Sequence, residues 1–137
     1  IQASAACLAE LQEQGWIRYI GVSNVDVQQL AAFREIIDPV AVQLPLNMLQ
    51  RTTYQTMLPH LNSTSYVAYW SLMKGLLAGA MSREHQLAEN DRRRSYDVYQ
   101  GVMWQQAHDV LDQVREIASE LGWAVSRLVI AWTMNQT

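Results

Sequence analysis

Three short apolar runs, each ending in polar or aromatic side chains, limit what this chain can fold into. They are Trp16-Ile17-Arg18-Tyr19-Ile20-Gly21-Val22-Ser23-Asn24, Val40-Ala41-Val42-Gln43-Leu44-Pro45-Leu46-Asn47 and Tyr66-Val67-Ala68-Tyr69-Trp70-Ser71-Leu72. The sequence predicts strands over Ile17–Val22, Val40–Leu44 and Tyr66–Ser71. Segments of helical spacing come before and between them. Ser4 to Gln14 carries Cys7, Leu8 and Leu11 and stops at Gly15. A second helix, capped by Ser23 or Asn24, turns Leu30, Ala31, Phe33 and Ile37 inward until Asp38-Pro39 breaks it. A third opens at Thr52 or Thr53 and carries Met57, Leu58 and Leu61 inward. Near-continuous apolar strands alternating with amphipathic helices make parallel βα units with right-handed crossovers. Ligands of such proteins sit at the carboxyl ends of the strands. Ser23-Asn24, Gln43 and Tyr69 therefore stand where a site is built.

A long irregular stretch follows, from Gly75 to about Val98, and then helices over Met103–Leu121 and Val125–Met134. A connection of that length inside a compact domain is commonly functional or mobile. The expected organisation is a single domain over 1–137, half of its residues hydrophobic, with 75–98 as the long loop. Three parallel strands do not close a barrel. The strands that would complete it lie in a larger (β/α) barrel or come from another chain. The chain starts at Ile1 within a helical pattern and ends at Thr137 just past another, so both ends read as cuts through a larger fold.

Composition removes several function classes. A net charge of −3 offers no basic surplus for nucleic acid or an anionic membrane. The cluster Arg92-Arg93-Arg94 reads as a solvated surface. No apolar stretch is long enough to cross a bilayer, no signal-peptide pattern is read in these residues, and a cytoplasmic protein is the default expectation. A lone Cys7 excludes an internal disulfide framework and reads as a small buried or half-buried residue, not a nucleophile. His60, His85 and His108 are too scattered for metal-ligand spacing. No pair among Glu10, Glu13, Glu116 and Glu120 is placed for acid–base work, so no catalytic residue is assigned. The methionines are dispersed, and Trp104, Trp123 and Trp132 read as packing on an outer helix layer.

Five segments in order resemble the aldo-keto reductases, a (β/α)8-barrel superfamily of nicotinamide-dependent carbonyl reductases. "ELQEQGWIRYIGVSN" is similar to that family's helix and GVSN strand, and "DPVAVQLPLNMLQR" to its next strand. "VAYWSLMKGLLAG" resembles its aromatic Ser-Pro and glycine-rich segment. "DRRRSYDVYQG" and "IASELGWAVSRLVIAWTMNQ" resemble its variable loop and its last long helix. The resemblance implies a partial (β/α)8 TIM barrel covering roughly helix 4 through helix 7, with parallel strands 5, 6 and 7. It implies NADP as cofactor, a small-molecule carbonyl substrate and hydride transfer. The family's Asp, Tyr, Lys and His tetrad lies on the first four strands, which match nothing here.

Carried over by position, the resemblance sets Ser23, Asn24 and Gln43 against the nicotinamide carboxamide and Tyr69 against the nicotinamide ring. Leu72, Lys74 and Gly75 match positions that approach the pyrophosphate. Plainer readings stand beside these: a helix cap for Ser23-Asn24, a buried amide for Gln43, core for Tyr69, a solvated Lys74. Trp70-Ser71 replaces the family's Ser-Pro, so Tyr69 or Trp70 is the stacking ring, with Tyr69 in register. Ala80 stands where the family has a lysine, which weakens a phosphate role there. A second reading is a non-catalytic half-barrel, an interaction module that self-associates to cover open strand edges.

Overall fold

The computed structural model describes residues 1–136 and divides them into two compact units, Ile1–Leu46 with Gln50–Tyr69, and Asn47–Leu49 with Trp70 onward. Thr137 lies outside the described residues.

The first unit holds α1 (Gln2–Glu13), β1 (Gly21–Ser23), α2 (Val27–Arg34), β2 (Ala41–Pro45), α3 (Thr52–Met57) and β3 (Ser65–Tyr69). The three strands are parallel in the order β1-β2-β3, with Ser23 opposite Gln43, Gln43 opposite Val67 and Pro45 opposite Tyr69. One face of the sheet is apolar. Val22, Val42 and Leu44 pack there with Ala5, Leu30, Phe33, Met57 and Leu61 from the helical segments. Burial of these side chains, worth about 1.5–3 kcal/mol each when complete, holds the sheet to its helices. The alternate residues Gly21, Ser23, Gln43 and Val67 are exposed on the other face.

The expected elements are present with shifted bounds. β1 is three residues long, not the six of Ile17–Val22. Gly15, at φ 77°, reverses the chain after α1, and Trp16 N–H bonds back to Leu11 O at 3.0 Å. Pairing with β2 then begins only at Gly21. Trp16 and Tyr19 are left 77% and 75% exposed. Neither Ser23 nor Asn24 caps α2. Asp26 does, accepting from Gln29 N at 2.7 Å, while Gln29 Oε1 accepts from Asp26 N at 3.0 Å. Two inward assignments fail: Ala31 is exposed, and Leu58 is 44% exposed because Leu58–His60 tightens to a 3-10 turn at Pro59. Cys7 is also exposed. It lies two residues from the buried Ala5, on the opposite side of α1.

The second unit packs α4 (Gly101–Glu120) and α5 (Val125–Met134) around 3-10 segments at Met73–Ala78 and Asp97–Tyr99. On α4 the buried positions Trp104, Ala107, Leu111, Val114 and Ala118 recur at helical spacing and form one stripe. The 75–98 stretch is pinned to this helix. Arg83 Nη2 bonds Asp109 at 2.6 Å and Asp112 at 2.8 Å, and Arg115 Nη2 donates to the carbonyls of Gly79 and Met81 at 3.0 and 2.8 Å. Bonds from Arg83 and Arg115 hold the Asp112 carboxyl below its ordinary range.

His108 is fully buried on α4, edge-on to Trp104 at 4.3 Å, and neither ring nitrogen has a hydrogen-bond partner among the described residues. Burial pushes its pKa down, and the cations of Arg115 and Arg83 push the same way against Asp112 and Glu84. The folded chain therefore holds His108 neutral while the unfolded chain, near the ordinary 6.5, takes up a proton first. By linkage, stability falls as pH drops through that value. Urea denaturation at pH 7.5 and 5.5 is expected to show this loss in the wild type. His108→Leu should flatten it.

Candidate functional site

β1 ends in a left-handed residue. Asn24 adopts φ 56°, a conformation asparagine tolerates better than most, and its N–H donates to Gln43 O at 3.1 Å. That turn lifts the Ser23 and Asn24 side chains off the α2 backbone, which Asp26 caps instead. Ser23 Oγ donates to Gln43 O at 3.2 Å and lies 3.5 Å from Gln43 Oε1. At the end of β3, the Tyr69 hydroxyl donates to Asn24 Oδ1 at 2.7 Å. Three strand ends thus bring Ser23, Asn24, Gln43 and Tyr69 into one polar group.

These geometries remove the plainer readings for this unit. Ser23-Asn24 is not a cap, Gln43 is exposed and not a buried amide, and Tyr69 is only half-buried. Ser23 and Gln43 line a concavity of about 360 Å³ with Gly21, Ala41 and Val67. A Cβ on Gly21 would sit 3.3 Å from Ala41 O, so glycine keeps that floor open. Asn24 and Tyr69 also line a groove of about 490 Å³ with Pro45 and Thr53. Behind the sheet, Tyr66 donates to Pro45 O at 3.0 Å and meets Tyr54 edge-on at 4.9 Å. Burial first, then Tyr54 and Tyr69, push its phenol up to about 12.

A carboxamide needs two acceptors and one donor. With its Oδ1 held by Tyr69, Asn24 offers its NH2 as donor, and Gln43 offers an acceptor and a donor from one exposed amide. This donor set fits a nicotinamide amide. Among the described residues, no group of three or more His, Cys, Asp or Glu is placed to hold a metal, and no helix is long and apolar enough to cross a membrane.

The second unit carries Leu72, Lys74 and Gly75 on one turn. Backbone φ is positive at Met73 (43°), Lys74 (50°) and Gly75 (102°), and also at Trp70 (57°). Left-handed non-glycine residues each cost on the order of 1–3 kcal/mol and persist only where neighbours hold them. Here Tyr99 Oη donates to Met73 O at 2.8 Å and reaches Lys74 O at 3.3 Å. Arg93 Nη1 reaches Lys74 O at 3.4 Å. The Lys74 ammonium, expected as either a phosphate contact or a solvated charge, rests against two aromatic rings. It lies 4.3 Å from the Trp70 ring centre and 4.6 Å from that of Tyr96.

Arg93 likewise departs from the solvated cluster expected of Arg92–Arg94. Asp91 accepts from its Nη2 at 2.6 Å and its backbone N at 2.9 Å, and Arg93 holds the Asp91 carboxyl down to about 2. Arg93, Tyr96 and Tyr99 all contact the turn at Met73–Lys74, ties that no local sequence pattern shows. Asn47 is a buried structural residue, donating to Met73 Sδ at 3.4 Å and accepting from Leu49 N at 3.0 Å.

Comparison with known proteins decides the family. The model of the aldo/keto reductase family matches residues 1–137. This chain belongs to the aldo/keto reductase family. It is 30% identical over 139 aligned positions to the aldo-keto reductase YhdN of Bacillus subtilis, covering 99% of this chain and 42% of that protein. It is 25% identical to the NADH-specific methylglyoxal reductase of Escherichia coli, covering 100% of this chain and 42% of the relative. Among solved structures it is similar to the glycerol dehydrogenase AKR11B4 of Gluconobacter oxydans, with TM-score 0.92 and 30% identity over 98% of this chain and 42% of that one. This aldo/keto reductase chain is thus an α/β, partial (β/α)8-barrel fold, as its strand pattern predicts. It spans 42% of the length of these relatives.

Proposed function

We propose that this chain is part of an NADP-dependent oxidoreductase that reduces aldehydes or ketones, and that it supplies the side that grips the nicotinamide. The observation that carries the reading is the convergence of Ser23, Asn24, Gln43 and Tyr69 at three parallel strand ends, with none of the four spent on a cap or a core. The Asn24 NH2 would donate to the carboxamide oxygen, and Gln43 Oε1 would accept from its NH2. The hydroxyl-to-Asn24 bond fixes the Tyr69 ring so that one face is offered to a flat heterocycle. When bound, the cofactor supplies hydride to a carbonyl carbon. The family's Asp, Tyr, Lys and His set matches no residues of this chain, so the chain alone would bind cofactor without turning over substrate. NADPH is the cofactor the resemblance implies. A relative described as NADH-specific makes NADH the comparison to run.

Titration of the chain with NADPH and NADH, followed by tryptophan quenching, tests this. Binding tighter than about 1 mM is expected. Gln43→Ala and Tyr69→Leu should each weaken it about fivefold, the size of one lost hydrogen bond or ring contact. No binding at millimolar cofactor would sink the reading.

A further inference from the structure

We propose that His108 is a pH-sensitive latch: on taking up a proton it releases residues 79–84 from α4 while the core of the second unit stays folded. The latch lies wholly within that unit and needs no cofactor.

The segment is tied to one helix through side chains that surround His108. Trp104 Nε1 donates to Arg83 O at 2.8 Å. Arg83 Nη2 reaches Asp109 and Asp112 at 2.6 and 2.8 Å, and its Nη1 reaches Gln105 O at 3.2 Å. Arg115 Nη2 donates to the carbonyls of Gly79 and Met81 at 3.0 and 2.8 Å. Along α4, His108 stands one turn from Trp104 and one turn from Asp112, so the three share a face. Its ring is fully buried, edge-on to the Trp104 indole at 4.3 Å, and neither nitrogen has a hydrogen-bond partner among the described residues.

This site holds a neutral imidazole. The charged groups facing it are Arg83 and Glu84 from the segment, and Asp112 and Arg115 from α4. Burial, then Arg115 and Arg83, disfavour an imidazolium there; Asp112 and Glu84 pull the other way and are the weaker pair. Asp112 already accepts from Arg83 Nη2 and, at 2.7 Å, from Arg115 Nη1, which leaves little for a third cation. The repelled arginines are themselves the ties. Arg83 is about one-third exposed and can swing to water, taking the segment with it. His108 leaves its place only by moving the Trp104 indole, which breaks the bond to Arg83 O. Trp104 borders a cavity of about 510 Å³, so the ring has room to turn. The packing of Ala107, Leu111 and Val114 against Leu76, Leu77 and Val129 lies outside the latch and holds the unit. The closed segment thus favours neutral His108, while the open one titrates near the ordinary 6.5. As pH falls through that value, opening grows by close to tenfold per pH unit until the closed form itself takes the proton. Asp112 and Glu84 are held below the ordinary carboxylate range and stay charged through this window.

Hydrogen exchange followed by NMR on the full chain, from pH 7.5 to 5, tests this. The Trp104 indole N–H reports the latch, and the backbone amides of Leu111 and Val114 report the unit. After correction for intrinsic exchange, the indole is expected to be about a hundredfold less protected than those amides at every pH, because it opens locally. Its opening should grow about tenfold per unit below pH 6.5. His108→Gln should abolish that slope, and His85→Gln, altering the other histidine near the segment, should keep it. Equal protection of indole and amides would mean that the segment opens only with the whole unit, and would overturn the latch. So would a slope that disappears in His85→Gln or survives in His108→Gln. A slope of opposite sign would show protonated His108 pairing with Asp112 or Glu84 and tightening the segment, which also overturns it. Should His108→Gln not fold, the wild-type imidazole C–H signals decide: they are expected to titrate below 6.5, and titration at or above that value contradicts the latch.

Discussion

Gly79→Ala is expected to destabilise the second unit by about 2–5 kcal/mol, read as a fall in the urea midpoint at unchanged slope. Two costs add. At φ 87° an L side chain is strained, and the new Cβ would lie 2.8 Å from Val125 Cβ, with both Val125 methyls at 3.0 and 3.1 Å. The turn has little freedom to yield, because Arg115 holds the Gly79 carbonyl at 3.0 Å. Adding Val125→Ala should recover the steric share and leave the backbone share. Gly15 is the control. It has a similar φ of 77°, and a Cβ at that position would meet nothing within 4 Å, so Gly15→Ala should cost only about 1 kcal/mol. Equal effects at the two glycines would contradict the close approach of α5 to this turn.

Phe33→Ala carries the second large effect, about 3–5 kcal/mol. Phe33 is 2% exposed and packs under the sheet with Leu30 and Val42, which are 1% and 0% exposed. A loss of that size approaches the whole stability of an ordinary domain. Chemical denaturation followed by circular dichroism measures it. Because the Phe33 core supports the strands that carry Ser23, Gln43 and Tyr69, cofactor binding should disappear with the fold. A Phe33→Leu variant that keeps most of the volume should retain both. A cost below about 1 kcal/mol for the alanine would mean that α2 does not form the core described.

The strand pattern made the sheet legible in advance, because apolar runs without alternation have few other ways to be buried. Register then followed from the same residues: Ser23, Gln43 and Tyr69 lie on one face since side chains alternate along each strand. The bounds were less legible. Ile17–Tyr19 looks like strand, but Gly15 turns the chain back onto α1 and no partner strand is available until Ala41. The Ser23-Asn24 cap failed for a related reason: the cap lies two residues on, because the left-handed Asn24 adds a turn before α2. The long loop was the least readable part. Its ties run from Tyr99 to Met73 and from Arg115 to Gly79, pairs separated by 26 and 36 positions, and no local pattern announces them. His108 was invisible for the same reason, its burial depending on tertiary packing.

The nicotinamide grip has a direct spectroscopic readout. In NMR spectra of the isotope-labelled chain, the side-chain NH2 signals of Asn24 and Gln43 report the two amides assigned to the carboxamide. Adding NADPH or NADH should move both, with the Tyr69 ring protons, and nicotinamide mononucleotide should move the same three. Cofactor that binds while the Asn24 and Gln43 amides stay fixed would contradict the account.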